Sequence, residues 1–306
     1  HWLERDFRAA HEAGLNCMRV YGASTLYRDP EKLAALKECA RRYGIYLLVV
    51  VVDHTDLLTR EELQERGKLC AEAFRDETML LGYDLQNEPY TYKLAAIKDG
   101  EQTLGDRHPL WKRWGEYEQW AGLQMAGNFT SFPGVNGPLP RNEQWGPVLD
   151  ATDGIFSDWV RWQVEAIRSV DSTHPITVGY NTVFDCLPAN RQLDFISHHA
   201  YQAPVDLEGV MRNLTTLDRL RSVWPDRPIT LGEFGYTNGA IIGGRYLDLH
   251  TSALGEFLHY LYAFSRGFSG CMKWVLTDHP LELSRQQCSW IPPDDLSTHI
   301  DQGRYG

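Results

Sequence analysis

Two glutamates stand where a pair of carboxylates can do acid–base and nucleophilic work. Glu88 closes the run Leu80-Leu-Gly-Tyr-Asp-Leu-Gln-Asn87, and Glu233 closes the run Ile229-Thr-Leu-Gly232. Two carboxyl groups on separate strands, facing one cavity, are what cleavage of a glycosidic bond requires. One gives a proton to the departing oxygen; the other, ionised, attacks the anomeric carbon. Residues of suitable type accompany them. Arg19 is a cation that would keep the attacking carboxylate ionised. Asn87 offers an amide to a sugar 2-hydroxyl, and Trp274 offers an apolar platform to a sugar face. His54, His199 and Tyr201 add polar groups able to orient the carboxylates or touch the sugar.

Such a set works only if the fold brings it to one point. Helical and strand patterns alternate along the chain, as in βα units around a parallel sheet. Residues 2–13 carry Leu3, Phe7 and Ala10 on one helical face. Asn16–Tyr21 reads as a strand. Asp29 and Pro30 open a helix that Gly44 stops. Tyr46–Val52 is a continuous apolar run, as in a strand buried on both faces. Thr59 and Glu62 spell a capping box for a helix reaching about Arg75. After the strand 80–87 the rhythm breaks from about residue 90 to 154, with one helix expected over 112–125. A segment this long outside the core rhythm marks a functional excursion. The rhythm then resumes with helix 155–170, strand 176–179, strand 195–201, helix 205–223, strand 229–233, helix 246–266 and strand 270–275. In helix 246–266 the spacing turns Leu254, Phe257, Leu258, Leu261 and Phe264 inward. Seven strands are counted, and the chain opens on a helix that ought to follow a strand. The expectation is one catalytic (β/α)8-barrel domain over residues 1–306, a TIM barrel, with strand one and the final helix not evident and a long insertion near 90–154. A seven-stranded open sheet is the alternative.

In a parallel barrel the working groups sit at the carboxyl ends of the strands. Those ends carry Arg19 and Tyr21, then Asp53 and His54, then Asn87 and Glu88. Asn181 and Asp185 follow, then His198, His199 and Tyr201, then Glu233, and finally Trp274. Packing alone gives no reason for such convergence.

In these residues the chain resembles the clan A glycoside hydrolases, and family 5 (cellulase and mannanase-like) most closely. Gly14-Leu-Asn-Cys-Met-Arg-Val20 is similar to that family's second strand with its arginine, and His54 to the histidine after its third. Asn87-Glu-Pro89 is similar to the Asn-Glu-Pro of its fourth strand, whose Glu is the acid/base. His199-Ala-Tyr201 matches the His-x-Tyr of its sixth. Gly232-Glu-Phe-Gly235 matches its seventh, whose Glu is the nucleophile, and Trp274 matches the tryptophan of its eighth. The resemblance covers residues 2–275 and implies a retaining hydrolase of β-linked glycosides (glucoside, mannoside or galactoside type) that needs no cofactor and no metal. A long insertion walling one end of the cleft would favour exo action on oligosaccharides. Transglycosylation by the same residues, or a non-catalytic glycan-binding barrel, are the alternatives.

Several residues have plainer readings. Strand alternation lets only one of His198 and His199 face inward, and the family pattern picks His199. Trp111, Trp114, Trp120 and Trp145 in the insertion either stack on sugars or form the insertion's own core. Trp159 and Trp162 read as helix packing. Asp53, His54 and His199 lack the spacing of metal ligands. The six cysteines show no CxxC pairing and read as small buried hydrophobes. A net charge of −11 argues against nucleic acid or an anionic membrane as partner. No apolar run is long enough to span a bilayer. Secreted and cytoplasmic locations both fit.

Overall fold

The computed structural model describes residues 2–21, 26–52, 58–89, 109–122, 124–126, 129–131, 139–201, 207–235, 241–242, 245–246, 249–274 and 276. The chain runs α1 (Trp2–Glu12), β1 (Cys17–Val20), α2 (Pro30–Tyr43), β2 (Tyr46–Val52), α3 (Arg60–Phe74) and β3 (Leu80–Asn87). It continues with α4 (Pro109–Trp120), α5 (Gly146–Arg168), β4 (Ile176–Tyr180), β5 (Ile196–Ala200), α6 (Leu207–Val223), β6 (Ile229–Phe234), α7 (Leu249–Ser265) and β7 (Gly270–Lys273).

Local chemistry accounts for the boundaries. The Asp29 side chain accepts the Lys32 N–H at the start of α2, and Gly44 ends that helix at φ +65°, where a side chain would be strained. Thr59 and Glu62 exchange side-chain and backbone hydrogen bonds in the expected capping box. Helix α5 begins nine residues before the expected 155, because Pro147 lies in its first turn, where its missing N–H costs nothing. Two short 3₁₀ turns, Val183–Cys186 and Pro188–Gln192, and two small hairpins, 124–131 and 241–246, have no counterpart in the pattern reading.

The seven strands β1–β7 are parallel and pair in chain order. The two edge strands, β1 and β7, come within 8 Å of each other (Cα–Cα) without pairing. The result is a nearly closed barrel with helices between its strands, the (β/α)8 fold expected, rather than an open sheet. Leu47–Val52 of β2 is buried on both faces, as its unbroken apolar run requires. Phe7 and Ala10 of α1 and Leu36 and Ala40 of α2 close over this side of the sheet.

Helix α7 is turned opposite to expectation. Leu254, Phe257, Leu258, Leu261 and Phe264 are 37–58% exposed, and the buried positions are Gly255, His259 and Ala263. The reason lies on β6. The Phe234 ring stacks on His259 at 5.6 Å and meets Tyr260 edge-on at 4.9 Å, so the face of α7 that carries these rings, and not the apolar stripe, packs on the sheet. In α6, Leu214 and Leu217 are buried while Met211 is exposed.

In the insertion, Trp114 and Trp145 are buried and pack with Tyr117, Trp120 and Phe184. The own-core reading therefore holds for these two rings, while Trp120 stays half-exposed and Trp111 partly buried. Trp159 is buried in the core as expected. The five described cysteines are free thiols, and Cys288 lies outside the described residues. No described helix is long and apolar enough to cross a membrane.

Candidate active site

Two irregularities in the strands build the site. Against β4, strand β3 carries one extra residue between Asp84 and Asn87, so these two side chains reach the same guanidinium despite their opposite parity. Against β5, strand β6 carries an extra residue between Leu231 and Glu233, which sets Glu233 beside His199. The extra residue is Gly232, whose Cβ would lie 2.0 Å from the Ser197 hydroxyl. A glycine inside a strand is the sequence signal for such a bulge.

Six of the residues expected at the site converge: Arg19, Asn87, Glu88, His199, Tyr201 and Glu233. Glu233 is buried, and its Oε1 accepts from Arg19 Nη1 and from the Tyr21 hydroxyl. Its Oε2 accepts from the Tyr201 hydroxyl at 2.7 Å and lies 3.6 Å from His199 Nδ1. His199 Nδ1 shares a 2.9 Å hydrogen bond with Glu88 Oε1. Asn87 Oδ1 accepts from Arg19 Nη2 at 2.9 Å and lies at the same distance from the Tyr21 hydroxyl, whose single proton goes to Glu233. Trp274 sits half-exposed at the rim, its ring edge-on to Tyr21 at 5.4 Å. His54 and Asp53 lie outside the described residues. His198 points to the far side of β5, buried against Asp185 at 2.7 Å, so it is packing and His199 is the inward histidine.

Electrostatics hold Glu233 in its ionised form. Burial pushes the Glu233 carboxyl upward. His199, Arg19 and the hydroxyls of Tyr21 and Tyr201 outweigh that, and they hold it below the usual carboxylate range. Burial, reinforced by the neighbouring carboxylates, drives the Tyr21 and Tyr201 phenols well above their ordinary range, so both remain hydrogen-bond donors. Glu88 is the only non-glycine among the described residues with a left-handed backbone, φ +47°. Its N–H donates to the Gly179 carbonyl at 2.8 Å, and the conformation costs on the order of 1–2 kcal/mol. Strain of this kind persists where surrounding structure enforces it.

Three participants were not among the candidates. Tyr21 stands at its strand end, outside the residues that the family resemblance matches. Asp84 is a fully buried aspartate in mid-strand that pairs with Arg19 at 2.6 Å. A charge in an otherwise apolar strand was the available signal, since buried charges must be paired. Gly179 is the third; its Cβ would lie 2.5 Å from His199 Nε2 and 2.7 Å from Arg19 Nη2.

Glu88, His199 and Glu233 bring one ligand atom each within 4.8 Å of one another. His199 Nδ1 already bonds Glu88, and the Glu233 oxygens accept from Arg19 and two tyrosines, so these ligand atoms are engaged in hydrogen bonds. One carboxylate held ionised, opposite a second bonded to an imidazole, suits proton delivery joined to nucleophilic attack.

No family model matches the sequence, and no curated protein is significantly similar to it. Among solved structures the chain is similar to a Ruminococcus gnavus β-glucuronidase, with TM-score 0.58 and 13% identity over 91% of this chain and 41% of that one. It is also similar to a Bacteroides uniformis β-glucuronidase, with TM-score 0.55 and 14% identity over 89% of this chain and 28% of that one. The chain thus spans less than half the length of these neighbours, and at this identity the likeness is one of fold.

Proposed function

We propose that this chain carries the barrel of a retaining β-glycoside hydrolase, with Glu233 as nucleophile and Glu88 as acid/base. The observation that carries this reading is that both carboxylates converge on one imidazole, His199 Nδ1 lying 2.9 Å from Glu88 Oε1 and 3.6 Å from Glu233 Oε2, so that the pair stands close together, as a retaining mechanism needs. Retaining glycosidases hold their carboxyl groups about 5–5.5 Å apart, whereas inverting ones leave room for water at about 6.5–9.5 Å. Glu88 protonates the leaving oxygen as Glu233 attacks the anomeric carbon to form a glycosyl-enzyme. Glu88 then takes a proton from the water that releases the sugar. The His199 bond orients Glu88 throughout, and Arg19, Tyr21 and Tyr201 orient Glu233. Asn87 and Trp274 contact the sugar.

The resemblance of the strand-end motifs to family 5 supports glucosides, mannosides or galactosides as substrates. The solved neighbours are β-glucuronidases, so β-glucuronides belong beside them. Exo action on oligosaccharides remains part of this reading, and internal cutting of long polymers would remove it. The test is a panel of activated 2-deoxy-2-fluoro β-glycosides and β-glucuronides, followed by peptide mapping. A label on Glu233 is expected. A label elsewhere overturns the assignment, and binding without turnover or label across the panel would favour a glycan-binding barrel.

A further inference from the structure

Beneath Glu233 the structure holds a second buried carboxylate with no part in the bond-making steps. Asp84 is fully buried on β3. Its Oδ2 accepts from Arg19 Nε at 2.8 Å and lies 2.6 Å from Arg19 Nη2, and its Oδ1 accepts the Gly179 N–H at 2.9 Å. The opposite edge of the same guanidinium donates through Nη1 to Glu233 and Tyr21, and through Nη2 to Asn87. Arg19 therefore lies between two carboxylates, one on each side of a planar fork whose donors are fixed relative to one another. The Gly179 backbone, with no Cβ to intervene, forms the wall against which the fork rests.

We infer that Asp84 is the positioning residue of this site: it fixes the plane of Arg19 and shares its charge, so that Glu233 is oriented by the cation without being fully neutralised by it. This inference rests on the reading of Glu233 as nucleophile. The physical argument is one of division. A buried guanidinium with one anionic partner pairs with it bidentately, and such a pair is strong and static. A carboxylate held that way attacks carbon poorly. With Asp84 taking Nε and one side of Nη2, only Nη1 is left for Glu233, whose second oxygen stays with Tyr201. The register shift at 84–87 serves this arrangement, because without it Asp84 and Asn87 would point to opposite faces of β3. The described groups that face Glu233 are Arg19 from β1 and Tyr21 just after it, Glu88 just after β3, and His199 and Tyr201 from the β5 end. Asp84 reaches Glu233 through Arg19 alone.

The variant is Asp84→Asn, which keeps the size and an acceptor for Gly179 but removes the charge. Two readouts are taken on the whole chain: the titration of the Glu233 side-chain carboxyl by carbon NMR, and the pH profile of turnover on the aryl glycoside that wild type cleaves best. With Arg19 left to Glu233 alone, the Glu233 titration and the acidic limb of kcat should both move down by about one pH unit. The kcat should fall about 10- to 100-fold while KM changes less than about three-fold. An unmoved Glu233 titration overturns the inference, whatever the rates. A fall in kcat with the limb unmoved makes Asp84 merely structural and overturns it as well. If wild type turns over nothing on the panel yet the NMR shift is seen, the glycosidase reading fails and the hold of Asp84 on Glu233 stands. Asp84→Ser, with space for water beside the fork, repeats both measurements should Asp84→Asn not fold.

Discussion

The rings of Tyr21 and Trp274 meet edge to face, 5.4 Å between centroids, across the seam of the sheet that no strand pairing closes. Tyr21 follows β1 and Trp274 follows β7, so an aromatic contact bridges the two edges at the end where the carboxylates lie. The same Tyr21 hydroxyl donates to Glu233, and Arg19 lies over its ring at 4.9 Å. One side chain thus joins barrel closure to carboxylate placement. Tyr21→Phe separates these roles. It should leave the melting temperature within about two degrees while lowering kcat about 10- to 100-fold, the worth of a hydrogen bond to a charged group. Tyr21→Ala should lose stability as well. Equal melting temperatures for the two variants would deny the ring its bridging role.

Gly179 offers a harsher test of how tightly the site is packed. A methyl group there meets His199 Nε2 at 2.5 Å and Arg19 Nη2 at 2.7 Å, distances that real contacts do not reach. Both neighbours are buried and hydrogen-bonded, so neither can withdraw freely. Gly179→Ala should destabilise the fold by about 1–3 kcal/mol in urea unfolding. It should also reduce kcat about 100-fold, because both carboxylates lose their orientation. Wild-type turnover in this variant would mean that His199 and Arg19 have room the geometry does not reveal.

Period and capping made the elements legible. The helices of residues 30–43 and 60–74 were readable from Asp29, Pro30, Gly44 and the Thr59–Glu62 box, because those signals are local. The strand ends were legible because apolar runs stop abruptly at Arg19, Asn87, His199 and Glu233. What escaped were relationships between strands. Two-residue alternation puts Asp84 and Asn87 on opposite faces, and only the register against β4 reverses that. Asp84 is hard to read for a second reason: it lies three residues inside the strand, away from the carboxyl end where a parallel barrel places its working groups. The facing of α7 escaped because apolar spacing defines a stripe without saying which way it points, and Phe234 had already filled the space beneath.

Two carboxyls outside the site, Asp171 buried and Glu118 half-buried, should tune stability in opposite directions. Burial pushes Asp171 upward, but the Thr173 and His174 N–H groups, the Tyr83 hydroxyl and the His174 ring outweigh it and hold its carboxyl well below the usual range. Its stabilisation is therefore present above the unfolded value of 3.8 and is lost as pH falls below it. Glu118 is the reverse case. Burial pushes it up to about 7 from 4.5, against the Trp114 indole N–H that favours the ion. Stability from that source is complete below 4.5 and is lost as pH rises through 7. Asp171→Asn should cost about 1–3 kcal/mol at pH 7, with the gap narrowing towards pH 3. Glu118→Gln should raise the urea midpoint at pH 8 and leave it unchanged at pH 4. A Glu118→Gln effect independent of pH would mean that its carboxyl titrates normally.

The facing of α7 can be tested by substitutions of sharply different expected cost. Phe257 and Leu261 are more than half exposed, so Phe257→Ser and Leu261→Ser remove little buried surface. Each should change the unfolding free energy by less than about 0.5 kcal/mol. Ala263 is fully buried on the opposite face of the same helix. Ala263→Leu forces three extra carbons into that contact and should cost about 1–3 kcal/mol. Because α7 follows the strand that carries Glu233, the strained variant should also lower kcat, while the two serine variants should not. If Phe257→Ser destabilised the protein by as much as a core truncation, about 3–5 kcal/mol, that face of α7 would be covered in solution.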